Sequence, residues 1–171
     1  MERLLLLDSG DYDESMSEIR RTAVRGIIFI DGKLLLIEND HGEAKLPGGG
    51  QEEGEDDCAT LLREVREETG YRVLPDSVRA FGYIEEKRRS LKEDMIWHQF
   101  SRLYFCEVES QPGETELSEN EKSLGFRLSP YSVEDAISLN ERMLEREGRQ
   151  PWNQREYLTL CLIRDHLHKD N

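Results

Sequence analysis

Basic residues, cysteine and long apolar runs are what this 171-residue sequence has least of, and each shortage narrows the reading. Its 23 Lys and Arg stand against 37 Asp and Glu, a formal net charge of −14. A surface of that sign repels polyanions, which argues against a nucleic-acid polymer or an anionic membrane as partner. A small anionic substrate stays compatible, provided that a local group of Lys and Arg or a bound cation offsets the surrounding field. The three cysteines, Cys58, Cys106 and Cys161, form no CxxC pair and have no His at zinc-ligand spacing. They read as reduced core thiols of a cytoplasmic protein.

The opening "MERLLLLDSGDYDE" has one short apolar run, Leu4 to Leu7, before it turns acidic. That run is too short for a signal-peptide core or a membrane span, so no targeting segment is expected. No internal repeat, low-complexity tract or Pro/Gly/Ser linker divides the chain. Its length suits one domain that buries a core without disulfides or a structural metal.

What is present begins with "AVRGIIFIDGKLLLIEND", two continuous apolar runs, Ile27 to Ile30 and Leu34 to Ile37, joined at Asp31-Gly32. Asp-Gly between such runs predicts a hairpin, and continuous rather than alternating runs predict strands covered on both faces. Further strands are expected around Val78 to Ile84 and Phe100 to Val108, with an acidic loop over 109–125. Ser132 and Asp135 at capping-box spacing open a helix that closes at Gly148, and "NQREYLTLCLIRDHLHKD" reads as a terminal helix. Strands interleaved with helices indicate an α/β sandwich, a mixed sheet between helical layers. Residues 1–20 form an N-terminal arm or an edge strand, and 21–171 a single domain.

The stretch "GGGQEEGEDDCATLLREVREETGY" runs from a glycine loop into a helix over 57–69. Cys58, Ala59, Leu61, Leu62, Val65 and Thr69 make its packing stripe, and Arg63, Glu64, Glu67 and Glu68 lie to one side. Glu55, Asp56 and Asp57 sit favourably at the positive end of the macrodipole. Glu64, Glu67 and Glu68, at i, i+3 and i+4, are too far along for that. Like charges so spaced cost about 0.2–0.5 kcal/mol per pair. A solvated charged face and a cation site are the two readings left.

Gly49, five residues, Glu55, seven residues, Arg63-Glu64-Val65, one residue, Glu67-Glu68, one residue, Gly70-Tyr71 resembles the signature of the Nudix (MutT-like) hydrolase family. "AVRGIIFIDGKLLLIEN", "KLPGGG" and "GFRLSPYSVEDAI" are similar to that family's opening strands, the loop feeding its helix, and a late strand leading to a helix. The resemblance covers residues 22–165. The family usually has an aliphatic residue at the place of Tyr71 and Trp at that of Phe126.

The resemblance implies a Nudix-like α/β/α sandwich that hydrolyses a phosphoanhydride (pyrophosphate) bond in a nucleoside diphosphate derivative or nucleoside triphosphate, using Mg²⁺ or Mn²⁺. It makes Glu64 and Glu68 the primary metal ligands, Glu67 a ligand or water-activating base, and the Gly48 carbonyl a further oxygen. Arg63 then pairs with Glu67 or Glu55 and aligns a carboxylate. Such a bond is flanked by negative oxygens that repel a nucleophile, so carboxylates and cations solve each other's electrostatic problem. Gly48, Gly49 and Gly50 let the backbone approach metal and phosphate. The general base is Glu67 or, in the "SENEK" loop, Glu121, with Glu67 preferred.

Arg25 and Lys45, flanking cleft strands, and the run Lys87-Arg88-Arg89 are the candidates for gripping the substrate, with a solvated loop the preferred reading of that run. The four histidines show no ligand spacing to one another. Tyr83, Trp97 and Tyr104 read as core or rim packing rather than base-stacking residues. The competing reading is a catalytically silent Nudix-fold nucleotide sensor. An isomerase on this fold would need a catalytic Cys that the sequence does not supply. The family's sequence markers for ADP-ribose and dinucleoside polyphosphates are missing, Lys87 and Arg88 standing in their region, and the resemblance also allows a homodimer.

Overall fold

The computed structural model describes residues 1–169. Asp170, the last residue of the expected terminal helix, and Asn171 lie outside it. The elements in chain order are strands β1 (Arg3–Asp8), β2 (Glu18–Ile27), β3 (Phe29–Ile30), β4 (Lys33–Glu38), β5 (Ala44–Lys45) and β6 (Gly48–Gly50), helix α1 (Asp57–Thr69), strands β7 (Arg79–Arg89) and β8 (Ile96–Phe105), helix α2 (Glu119–Ser123), strand β9 (Arg127–Tyr131), and helices α3 (Val133–Leu144) and α4 (Pro151–Lys169).

Five strands form a mixed sheet in the order β1-β7-β8-β2-β6, with β1 parallel to β7 and β2 parallel to β8. A smaller antiparallel sheet joins β3, β4, β5 and β9. The expected hairpin is present between β3 and β4, with Asp31 at φ 50° and Gly32 at φ 75°. Positive φ at both central residues is what a two-residue turn of matching twist requires. Strand alternation then explains the continuous apolar run of β4. Leu34 and Leu36 enter one core with Ile27, Ile84 and Leu103, under Ala136 and Ile137 of α3 and Leu160 and Ile163 of α4. Leu35 points the other way and packs with Val24, Ile28 and Val73 against Leu61 and Val65 of α1. The strands are therefore covered on both faces, by α1 on one side and by α3 and α4 on the other.

Four expectations need correction. Gly48–Gly50 is not a plain loop, because its three residues pair antiparallel with Arg25, Val24 and Ala23 of β2. Lys87 to Arg89 are not a solvated loop; they finish β7, pairing with His98, Trp97 and Ile96 of β8. Strand β8 starts at Ile96 rather than near Phe100, since its first residues are held by Glu18 to Arg21 of β2. The acidic stretch before Gly125 contains α2, whose N-cap Ser118 and third residue Glu121 form a full capping box.

Candidate active site

Helix α1 begins at Asp56, whose side chain caps the Ala59 N–H, and ends at Gly70, which takes the left-handed conformation at φ 74°. The neighbouring acids have definite partners. Asp57 accepts from Arg102 at 2.6 Å and the Tyr104 hydroxyl at 2.5 Å, and Glu55 from Arg63 and Thr60. Arg63 ties the turn together. Its Nε and Nη2 reach the two Glu55 oxygens at 2.6 and 2.9 Å, Nη2 also reaches the Gly50 carbonyl at 3.1 Å, and Nη1 meets Glu64 at 2.8 Å and Glu67 at 3.3 Å. The Arg63 bond, more than any other influence, holds the Glu55 carboxyl down at about 2.

The three glutamates are not a solvated face. Side-chain exposure is 14% for Glu64, 31% for Glu67 and 2% for Glu68. Glu68 accepts from the Gly48 N–H at 2.7 Å and from Lys45 Nζ at 3.0 Å. Burial pushes the Glu64 carboxyl above its ordinary range; Arg63 pulls against this and the charge of Glu68 adds to it. Strand β6 lies under these carboxylates. A Cβ on Gly49 would stand 2.5 Å from Cδ and Oε1 of Glu64, so only a residue without a side chain leaves that carboxylate its place. Gly48 sits at φ 131°, its carbonyl accepting from Arg25 Nη1.

Arg25 and Lys45 connect this cluster to a cavity of about 490 Å³ on the α3 and α4 side of the sheet. Arg21 and Arg25 of β2, Trp97 and Gln99 of β8, and Arg88 of β7 form its floor, and Asn140, Trp152 and Arg155 approach from the helices. Its carboxylates are engaged: Glu43 accepts from Asn39 and Asn153, and Glu156 from Arg155. Burial pulls the Arg21 guanidinium below its usual range, and the charges of Arg25 and Arg155 pull it further. Such crowding of cations inside an acidic protein is what an anionic ligand would relieve. Trp97 and Asn140 line the cavity, but Trp97 Nε1 and Asn140 Oδ1 are themselves buried away from it and, among the described residues, have no hydrogen-bond partner, a state that costs about 1–3 kcal/mol each.

Mg²⁺ or Mn²⁺, implied by the resemblance, is tested by the donor chemistry here. Glu64, Glu67, Glu68 and the Gly48 carbonyl offer only oxygens, which suits a hard divalent cation, and the raised Glu64 carboxyl marks negative charge in need of compensation. As they stand, these side chains turn to Arg63, Lys45 and Arg25 instead. Among the described residues no three His, Cys, Asp or Glu side chains are gathered closely enough to hold one ion. The donors fit the ion in kind, with the chain's own cations now beside them.

Of the residues singled out in the sequence, Arg25, Lys45, Gly48, Gly49, Arg63, Glu64, Glu67 and Glu68 come together. Glu121 is placed otherwise: its carboxylate accepts from Ser118 N–H and Oγ, both at 2.8 Å, in the α2 capping box. Sequence reasoning missed Arg21, Asn140, Trp152 and Arg155, took Trp97 for packing, and named Arg88 as a substrate-gripping candidate while favouring a solvated loop for it. One signal was available: Arg21 and Arg25 lie on the same strand face as Ile27, so two charges precede an apolar residue that enters the core.

The family model for the NUDIX domain matches residues 20–151. The Bacillus subtilis (strain 168) protein named "Putative ADP-ribose pyrophosphatase YjhB" is 28% identical over 112 residues, 64% of this chain and 52% of its own length. The chain thus spans about half the length of that relative. A NUDIX hydrolase from Nitrosomonas europaea superposes with a TM-score of 0.59 at 22% identity, over 88% of this chain and 90% of its own. A MutT NUDIX hydrolase from Burkholderia pseudomallei does so with a TM-score of 0.51 at 20% identity, over 68% and 85%. At these identities the structural likeness speaks for the fold alone.

Proposed function

The chain belongs to the Nudix family, and from that premise we propose that it hydrolyses a phosphoanhydride bond in a nucleoside diphosphate derivative or nucleoside triphosphate, with Mg²⁺ or Mn²⁺ as cofactor. The observation that carries this reading is the withdrawal of Glu64 and Glu68 from solvent against the Gly48–Gly50 strand, at the edge of a cation-lined cavity. A pyrophosphate brings several negative charges, and Arg21, Arg25, Lys45 and Lys92 are the groups that meet them there.

Glu64, Glu68 and the Gly48 carbonyl, with Glu67, would hold the divalent ion, which when bound supplies charge neutralisation and a more acidic water. Arg63 fixes the carboxylates by its bonds to Glu55, Glu64, Glu67 and the Gly50 carbonyl. Glu67 is the most exposed of the three glutamates and has one long contact, to Arg63 at 3.3 Å. It is the carboxylate best able to take a proton from water, whereas Glu121 is occupied by Ser118. The three free thiols suit a reducing, cytoplasmic compartment.

A panel containing ADP-ribose, other nucleoside diphosphate derivatives and nucleoside triphosphates, assayed with Mg²⁺, Mn²⁺ or EDTA, tests the proposal. Expected are release of a nucleoside monophosphate, its loss in EDTA, and a fall of roughly 10²–10⁴-fold in Glu67→Gln. Glu121→Gln should stay near wild type. Thermal stabilisation by one of these compounds with no product in any metal would give the site to a nucleotide sensor instead.

A further inference from the structure

We propose that Lys45 is the site's own counter-ion: it neutralises Glu68 until a divalent cation is held there, then turns its ammonium to the phosphates of the substrate, so that anion binding waits on the cation. This rests on the reading of Glu68 as a metal ligand. Glu68 is 3% exposed, and its two oxygens accept from the Gly48 N–H at 2.7 Å and from Lys45 Nζ at 3.0 Å. Among the described residues no other cation lies within 4.0 Å of it. A carboxylate so enclosed keeps its charge only beside a compensating one, and Lys45 supplies it.

The neighbouring cations are tied down as Lys45 is not. Arg63 spreads over Glu55, Glu64, Glu67 and the Gly50 carbonyl, and the buried Arg25 donates to the Gly48 and Leu46 carbonyls. The Lys45 side chain has one hydrogen bond, to Glu68, and is 26% exposed. Its Nζ stands 4.6 Å from the centroid of the Phe126 ring, and both residues line the cavity. Pairing with Ile37 holds the Lys45 backbone, so the change is a swing of the flexible four-carbon stem. An ammonium and a divalent cation repel each other on one carboxylate. Lys45 therefore leaves Glu68 once the cation is held, the face of Phe126 keeps it in the cavity, and phosphate oxygens accept from its three N–H groups. The coupling runs both ways, since a phosphate that engages Lys45 leaves Glu68 free for the cation.

Calorimetry tests this apart from catalysis, through Mn²⁺ binding without substrate and inorganic phosphate binding with and without Mg²⁺. Lys45→Met, which keeps the stem and removes the charge, should bind Mn²⁺ about tenfold or more tightly than wild type, the weight of one hydrogen bond between charged groups. Lys33→Met, the same change of charge at the β3–β4 turn, should not. Saturating Mg²⁺ should raise phosphate affinity in wild type, and by about tenfold less in Lys45→Met. A merely structural tie would make Mn²⁺ binding weaker in Lys45→Met, and a phosphate grip unconnected with Glu68 would leave the gain from Mg²⁺ equal in both proteins; either result would overturn the proposal. Should Lys45→Met fail to fold, a crystal structure of wild type grown with Mg²⁺ decides: Nζ turned away from Glu68 supports the proposal, and the bond retained refutes it. Coupling without turnover on the substrate panel would defeat the hydrolase reading and leave this one standing; metal-dependent turnover without coupling would do the reverse.

Discussion

Alanine at Gly49 should leave the fold intact and disable the site, and the structure gives the size of the effect. Gly49 does not occupy the left-handed region, so an alanine there is free of backbone strain. Its Cβ would lie 2.5 Å from Cδ and Oε1 of Glu64, against an ordinary contact of 3.4 Å or more. The Glu64 carboxylate must therefore retreat by about 1 Å, which as the far end of a flexible side chain it can do. A 1 Å misplacement of a reacting group costs about 10²-fold in rate, or about 2.7 kcal/mol of transition-state stabilisation. Stability should instead hold or rise by about 0.4–1 kcal/mol, because alanine lowers the entropy of the unfolded chain. The assay pairs turnover on the best substrate with a thermal melt. Gly48→Ala is the contrast: its Cβ would drive into the Val24 carbonyl at φ 131°, so the protein should melt early. A Gly49→Ala enzyme with wild-type turnover would refute the placement of Glu64 at the reacting centre, and so would activity lost only in step with the melting temperature.

Arg63→Lys keeps the charge but cannot bridge Glu55, Glu64, Glu67 and the Gly50 carbonyl, and roughly 10- to 100-fold of activity should go, read as kcat at saturating substrate. Glu55, held at about 2 by Arg63 against an ordinary value of 4.5, adds stability that is complete above that ordinary value and is lost as pH falls through about 2. Urea melts of Glu55→Gln should accordingly show a flatter pH dependence than wild type in that window. Lys45→Ala strips the nearly buried Glu68 of its cation and should destabilise metal-free protein by up to about 3 kcal/mol, the low end for such a pair because Lys45 touches solvent. Added Mg²⁺ should restore more stability to this variant than to wild type in parallel melts. Burial pushes the Cys106 thiol up to about 12, so iodoacetamide at pH 8 should modify it last in folded protein and readily in urea, as mass spectrometry of its peptide would report.

Legibility followed the range of the interactions. The carboxylates of α1 could be read because their alignment depends on helical repeat alone, and the hairpin because Asp31-Gly32 supplies its own turn. Ser132 likewise marked the start of α3, its side chain accepting from Asp135 N–H. The same short-range grammar marked α2, since Ser118 and Glu121 have capping-box spacing, but the acidic run around them concealed it. Lys87 to Arg89 were misread because charge along a strand says nothing when the partner is unknown. They are held by β8, and Lys87 also by Asp8 of β1.

By itself, then, the sequence determined that Glu64, Glu67 and Glu68 share one side of a helix that follows three glycines, and that the chain as a whole carries a formal net charge of −14. Only the tertiary structure decided what those carboxylates face. Parallel pairing of β2 with β8 sets Arg21 beside Gln99, and α3 and α4 bring Asn140 and Trp152 over the same floor. Those contacts join residues far apart in the chain, where no local periodicity reports them, so their chemistry became visible only once the sheet order and the helix packing were known.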